Sequence, residues 1–408
     1  MTPPLSDPPQ ASPWLAAWLR PRDAIERVLA TNPRRHVVLL AVLGGVSSVA
    51  AQPIISRYTS IVSDWRLALA IALFGAVMGL LGLYVHAFVL TWIARAFGGR
   101  APAERMRAVV AWGMTPTAVG LSLCVVALFA LNLANLVGES IVITALAIAS
   151  AVLGVWTIVC TLLMYARVQA FGFWRAIASA GVAWLLVLAV PLAFRTFLFQ
   201  PFDIPSGAMM PTLLIGDHIF VSKYAYGYTR YSLPFSPPLF SGRILASEPR
   251  RGDVVVFRLP KDDTVDYVKR VVGLPGDRIQ MIKGVLTING APIARQQVED
   301  FVSKEDGREV RGKQWRQTLP DGVTYTALDL VESGFYDNTQ VYAVPPGHYF
   351  MLGDNLDNST DSRVLSQVGY VPFENIVGRA VVIYFSVDRE SGDPQPRVRF
   401  ERFGMTVR

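Results

Sequence analysis

The sequence predicts a multi-domain chain: an α-helical membrane region of five transmembrane helices, then a mainly antiparallel β domain on the exported side. Three observations carry this reading. Composition breaks near Gln200: before it the chain has no lysine and long uncharged stretches, after it an ordinary water-soluble mixture. Five runs free of Lys, Arg, Asp and Glu, at 37–56, 67–94, 108–138, 140–166 and 176–194, precede the break. Each has the roughly 20 residues that a bilayer core requires. Beyond the break apolar residues alternate with period two, and no long 3.6-residue periodicity competes.

The N-terminal segments follow in order. The first ten residues hold four prolines and are expected to be disordered. Residues 12–30 place Trp14, Trp18, Ile25, Val28 and Leu29 among arginines, the pattern of an interfacial amphipathic helix. The first apolar run lies too far from the start, with the wrong flanks, for a cleaved signal peptide. Gly44, Gly45, Pro116, Gly154 and Pro191 fall inside the runs, which membrane helices tolerate. His86, in the second run, reads as a hydrogen-bonded packing residue.

Arginines set the orientation. Arg20, Arg22, Arg27, Arg34 and Arg35 precede the first run; Arg95, Arg100, Arg105 and Arg107 follow the second; Arg167 and Arg175 follow the fourth. The opposite connectors hold Arg57 and Arg66 with Asp64, and Glu139. The positive-inside rule puts the N-terminus in the cytoplasm, and five crossings put everything after Gln200 outside. The expected division is 1–36, a cytoplasmic tail with the interfacial helix; 37–198, the membrane region; and 199–408, the exported β domain. The expected location is the inner (plasma) membrane, multi-pass, with the last domain on the periplasmic or extracytoplasmic face.

Net charge is +7, but the arginines sit between apolar runs as topology signals. Without an aromatic-interleaved basic stripe or zinc-finger spacing, no nucleic-acid partner is expected. Cys124 and Cys160 both lie in apolar runs, so a disulfide framework in the second half is excluded.

In that half, 218–221, 253–257 and 267–272 alternate as strands. Leu274-Pro275-Gly276-Asp277 suits a type II turn and Asn289-Gly290 a tight hairpin. The apolar, proline-rich stretch from Tyr231 to Phe240 is expected either to dip into lipid or to be a buried loop. The charged insert at 301–340 carries no functional signal.

Three stretches carry the chemistry: Phe202-Asp203-Ile204-Pro205-Ser206-Gly207-Ala208-Met209-Met210-Pro211-Thr212-Leu213, Asp266 to Asp277 around Tyr267-Val268-Lys269-Arg270, and Gly353-Asp354-Asn355-Leu356-Asp357-Asn358-Ser359-Thr360-Asp361-Ser362-Arg363. With Arg251-Gly252-Asp253 they resemble, in order and spacing, the boxes of the type I signal peptidases, membrane-anchored serine proteases with a Ser/Lys dyad. The resemblance spans nearly all of 195–385 and implies an exported catalytic domain of signal peptidase type. The Trp/Arg/Pro-rich start followed by apolar spans resembles Yip-family membrane domains over roughly the first 170 residues, with no catalytic implication.

The family's nucleophile is a serine, and this chain has Ala208 in its place. Lys269 corresponds to the general base, a role open to lysine only if burial destabilises its ammonium. Its alternation with Tyr267 and Val271 favours burial, while Arg270 points to the other face as a structural residue. Ser206 resembles the side-chain donor of the oxyanion hole, the backbone N–H at 208 being the second donor. Ser359 corresponds to the serine that hydrogen-bonds and orients the lysine; Asp361 and Arg363 resemble the paired charges supporting this region. Where the family has a basic residue the chain has Leu356. Ile204, Pro205, Met209, Leu213 and Val268 are expected to line shallow pockets for small substrate residues. The resemblance implies signal peptides of exported preproteins and the lipid bilayer as partners, and no cofactor. No metal is expected either, because Asp354, Asp357 and Asp361 lack the ligand spacing of a calcium loop.

Alternative chemistries are weaker. Among four histidines, His36 and His86 belong to the membrane half, and His218 and His348 flank no nucleophile motif. The absence of cysteine after residue 160 excludes a cysteine protease. A catalytically inactive protein that holds signal peptides stays open beside the protease, as does a membrane-organising protein with an accessory exported domain. Ala208 fits either a replaced serine or a natural pseudoenzyme, and retention of Lys269, Ser206 and Ser359 favours an active parent.

Overall fold

The computed structural model describes residues 12–51, 65–305, 308–388 and 397–408. The proline-rich first ten residues, the end of the first apolar run at 52–56, and Arg57 and Asp64 lie outside them. The chain divides into two compact units, Met1–Val190 and Pro191–Arg408.

The first unit is helical. Four helical stretches are long and apolar enough to cross a membrane: Ala68–Ala96, Ala103–Asn132, Ser140–Gln169 and Phe173–Leu198. The fold class is as expected, but the described residues give four such helices rather than five. The first apolar run forms only the 14-residue helix Val37–Ala50, about 21 Å at 1.5 Å per residue, short of a bilayer core. That helix packs closely on Trp65–Ala96 because glycines meet at the crossing. A Cβ on Gly45 would lie 2.1 Å from the Gly75 carbonyl oxygen, and one on Gly79 would lie 2.0 Å from that of Ala41. Small residues at a contact let helix backbones approach.

The segment 12–30 is not one interfacial helix. It forms Pro13–Leu19 and Pro21–Thr31, broken at Arg20, whose φ of −139° and ψ of 63° are not helical. The following proline disfavours helical backbone at the residue before it. Ile25 and Val28 are buried with Leu40, Met106 and Trp112 in this unit's core, and Trp14 and Trp18 pack against it. His86 accepts a hydrogen bond from Trp184 Nε1 at 2.6 Å, a packing contact.

The second unit is built on an eight-stranded sheet. Antiparallel partners run from Phe199–Asp203 through Asp217–Ser222 to the long strand Ile376–Asp388, then Val254–Leu259, Asp262–Gly273, His348–Leu352 and Val371–Pro372. Arg397–Val398 pairs with the end of Ile376–Asp388. The strand Asp262–Gly273 is buried at its second half because it has neighbours on both sides: Lys269 faces Val255, and Arg270 faces Leu352.

Both expected turns form. Gly276 has φ +91° and Asp277 N donates to Leu274 O at 3.0 Å, as a type II turn requires. Asn289 and Gly290, at φ 52° and 83°, join Val285–Ile288 to Ala291–Pro292, the left-handed pair of a type I′ hairpin. The 301–340 insert supplies a second sheet in which Arg308–Thr318 lies between Thr324–Asp329 and Ala294–Gln297. In the proline-rich stretch Tyr231 is buried, whereas Phe235 and Leu239 are 102% and 74% exposed.

Candidate active site

The loop after Phe199–Asp203 is pinned at its base. Ile204 N donates to Asp217 O at 2.8 Å, and Gly216 N donates to Ile204 O at 2.9 Å. Ser206 is extended (φ −136°, ψ 153°) and starts a single 3₁₀ turn, Gly207–Met209. As the second residue of that turn, Ala208 has a backbone N–H without an acceptor inside the turn. Its methyl is nearly buried, with 8% of the residue exposed.

A cleft of about 720 Å³ brings the expected residues together from all three motif stretches. Ser206 and Ala208 come from the loop, Val268 and Lys269 from the strand, Ser359 from the third stretch; Ile204, Pro205 and Met209 also line it. Leu213 does not. It is fully buried, packed with Ile219 and Val254 in the core behind the loop.

Lys269 is 4% exposed. Burial pushes its amine down to about 8, against an upward pull from Asp361 and Asp354 and a smaller downward push from Arg363. Both aspartates are held by guanidiniums. Arg270 is fully buried and holds Asp354 bidentately, Nε to Oδ1 at 2.8 Å and Nη2 to Oδ2 at 2.6 Å. Arg363 holds Asp361 the same way, both contacts at 2.9 Å. Each carboxylate near the lysine is thus shared with a guanidinium, and burial outweighs the pull of Asp361 and Asp354. Asp361, Asp354 and Arg363 act on the amine directly, and Arg270 holds Asp354 in place.

One implied contact is not formed: the Ser359 hydroxyl is buried and makes no hydrogen bond. Its position is nonetheless tightly set, because a Cβ on Gly353 would lie 2.1 Å from Ser359 Oγ and 2.6 Å from the Ala208 carbonyl oxygen. The Lys269 ammonium lies 5.3 Å from the centre of the Tyr267 ring. The three aspartates of the third stretch are engaged by protein groups. Asp354 also accepts from Thr212 Oγ1 at 2.5 Å, Asp361 from Gly353 N at 3.1 Å, and Asp357 from the backbone N–H of Leu330 and Val331 at 2.7 and 3.0 Å. Leu356, in the family's basic position, is buried in an apolar cluster with Phe350 and Leu352.

Sequence reasoning missed several positioning groups. Asn355 clamps the turn Gly207–Met209: its N–H donates to Ala208 O at 3.2 Å and its Nδ2 to Gly207 O at 3.1 Å. Its place inside a quoted motif was the available signal. Tyr336, from the insert, lines the cleft with the Arg363 guanidinium 5.0 Å from its ring centre; nothing in the insert's pattern announced this. A second buried lysine, Lys223, is also pushed down to about 8 by burial. Its amine is tied to Ser232 O at 2.7 Å and it does not line the cleft.

The family profile described as signal peptidase, peptidase S26, matches residues 176–385, and the Yip1 domain profile matches residues 15–194. Signal peptidase I of Rickettsia typhi is 46% identical over 220 residues, 52% of this chain and 81% of that protein. The Rickettsia akari signal peptidase I is 47% identical over 208 residues, 49% of this chain and 76% of its own length. A crystal structure of a signal peptidase I from Enterococcus faecalis matches 33% of this chain and 97% of its own at 28% identity, with a TM-score of 0.20. With an S26 profile over half its length and such relatives, this chain belongs to the signal peptidase I family and carries a Yip1-like helical region in front of the peptidase fold.

Proposed function

We propose that the second unit is the scaffold of a Ser/Lys endopeptidase for signal peptides of exported preproteins, and that alanine at position 208 leaves it able to bind a substrate but not to cleave it. The observation that carries this reading is the single cleft lined by Ser206, Ala208, Lys269 and Ser359, with the lysine amine lowered to about 8. With serine at 208, neutral Lys269 would take the hydroxyl proton as the oxygen attacks the scissile carbonyl. The Ser206 hydroxyl and the N–H at 208 would receive the developing oxyanion, and the leaving amine would depart protonated. Lys269 would then activate water against the acyl-enzyme. Ile204, Pro205, Met209 and Val268 would form the shallow walls that admit small side chains. Ser359, whose hydroxyl lacks a partner, would turn to the amine and hold it. Arg270, Asp361 and Arg363 would keep the amine's surroundings neutral.

Signal peptides suit a cleft joined to a membrane helix, because their apolar segment lies in the bilayer and the small-x-small site follows it. The second reading, a signal peptide-binding protein, rests on Ala208 alone.

The test is cleavage of a model preprotein by this chain and by Ala208→Ser. The serine form is expected to cleave; the alanine form is expected to be slower by roughly a millionfold, the typical loss on removing a serine nucleophile. A folded, inert serine form overturns the protease scaffold. Cleavage by the alanine form at the serine form's rate overturns the assignment of position 208.

A further inference from the structure

At the end of the membrane helix Trp65–Ala96, a cavity of about 430 Å³ is shared with the start of the helix Ala103–Gly113. Tyr84, Phe88 and Trp92 form its aromatic wall, Ala103 contributes from the second helix, and Arg95 and Arg107 also line it. The three rings are 52%, 69% and 59% exposed on a helix long and apolar enough to cross a membrane. Lipid is therefore the medium they meet, and aromatic rings beside basic residues mark the depth of the headgroups.

The arginines distinguish this cavity. Nearby, Arg34 pairs with Glu104 at 2.7 Å, Arg167 pairs with Glu26, and Arg175 donates to the Phe97 carbonyl. Among the described residues, neither Arg95 nor Arg107 has a carboxylate at ion-pair distance. Arg107 lies 5.6 Å from the centre of the Tyr84 ring, a cation–π contact that holds it at the cavity edge. A second cavity of about 270 Å³ shares Tyr84 and Arg107, so this guanidinium stands at the junction of two open spaces. Two uncompensated cations beside an apolar wall call for an anion that also carries hydrocarbon.

We propose that this cavity binds an anionic phospholipid, its phosphate between Arg95 and Arg107 and its acyl chains along Tyr84, Phe88 and Trp92. A free phosphate would leave the aromatic wall without a partner. A zwitterionic headgroup brings its own cation and competes with the arginines. The site lies wholly within the helical unit and stands apart from the peptidase reading.

The experiment is native mass spectrometry of the full chain extracted from vesicles of mixed phosphatidylcholine and phosphatidylglycerol. The unaltered chain is expected to retain phosphatidylglycerol. Arg95→Gln with Arg107→Gln is expected to lose it roughly tenfold or more, from two lost headgroup contacts. Ala103→Leu, which narrows the cavity and keeps both arginines, is expected to lose it too, while Arg100→Gln with Arg105→Gln retains it. Equal loss in the control pair shows general attraction to headgroups and overturns the site. So does retention unchanged in both cavity variants, or no retained phospholipid in the unaltered chain. Displacement of the lipid by inorganic phosphate alone would show a free-anion site instead.

Discussion

At the scale of single residues, the proposed function turns on Ala208 and Lys269, which the sequence signals differently. Position 208 was readable because the loop around it is locally distinctive. Lys269 was readable only through its motif, since a strand lysine is ordinarily a solvated charge. The structure adds the physical cause, burial of the amine, which outweighs the upward pull of Asp361 and Asp354. Only tertiary placement could show that. An amine at about 8, below the ordinary 10.5, makes two measurable claims. In the Ala208→Ser form the neutral base increases as pH rises, so cleavage should climb through about pH 8 and then level. Stability should follow the same sign. Between about pH 8 and 10.5 the unfolded chain binds the proton that the folded one has lost, so stability rises with pH there; below 8 the full burial penalty is present. Lys269→Met should therefore raise the melting temperature at pH 7, by up to about 3 kcal/mol in stability terms. It should also flatten the gain above pH 8, leaving the part due to Lys223. A melting temperature lowered at pH 7 by Lys269→Met would count against the buried, destabilised amine.

At the scale of elements, the site depends on how two loops meet on one strand. Turns were legible because Pro275-Gly276 and Asn289-Gly290 carry their own backbone preferences. The alternation of 267–272 gave the strand, and the order of motifs gave the family. Three things were not legible. Leu213 lies in the nucleophile loop, but the 3₁₀ turn ahead of it aims its side chain into the core. Tyr336 lines the cleft from an insert whose backbone at Leu330 and Val331 is tied to the third stretch by Asp357, a long-range contact without a periodic signature. The helix break at Arg20 was present in Pro21 but was outweighed by the amphipathic pattern. The two loops approach closely at Gly353, where an added methyl would sit 2.1 Å from Ser359 Oγ and 2.6 Å from the Ala208 carbonyl oxygen. Gly353→Ala in the Ala208→Ser background should keep the fold, losing about 1–3 kcal/mol of stability for the overpacking. It should slow cleavage far more than Gly276→Ala, whose added Cβ meets nothing within 4 Å although its positive φ is strained. Comparable rates for the two variants would mean that the meeting of loops at Gly353 does not set the catalytic geometry.

At the scale of the whole chain, the number of bilayer crossings decides where the N-terminus lies, and the arginines separate two parts of the answer. The connectors holding Arg95, Arg100, Arg105 and Arg107, and Arg167 and Arg175, flank the long helices. If both connectors face the cytoplasm, those four helices alone carry the chain after residue 200 to the outer face, whatever the first apolar run does. The side taken by the N-terminus depends on that run. Val37–Ala50, at about 21 Å, is too short to cross unaided, yet the five arginines before it favour the cytoplasm. Four crossings leave them outside with the β domain. The described residues give four helices long and apolar enough to cross, so the expected outcome is the four-crossing arrangement. It can be read with Cys124 and Cys160 replaced by serine and single cysteines placed at Asn32, Arg100 and Asp321. In intact cells a membrane-impermeant thiol reagent should label Asn32→Cys and Asp321→Cys and leave Arg100→Cys unlabelled until the membrane is opened. Protection of both Asn32 and Arg100 would show one crossing more than these four and keep the β domain exported. Labelling at Arg100 would invert the whole arrangement and place the cleft on the side where preproteins have not yet been translocated.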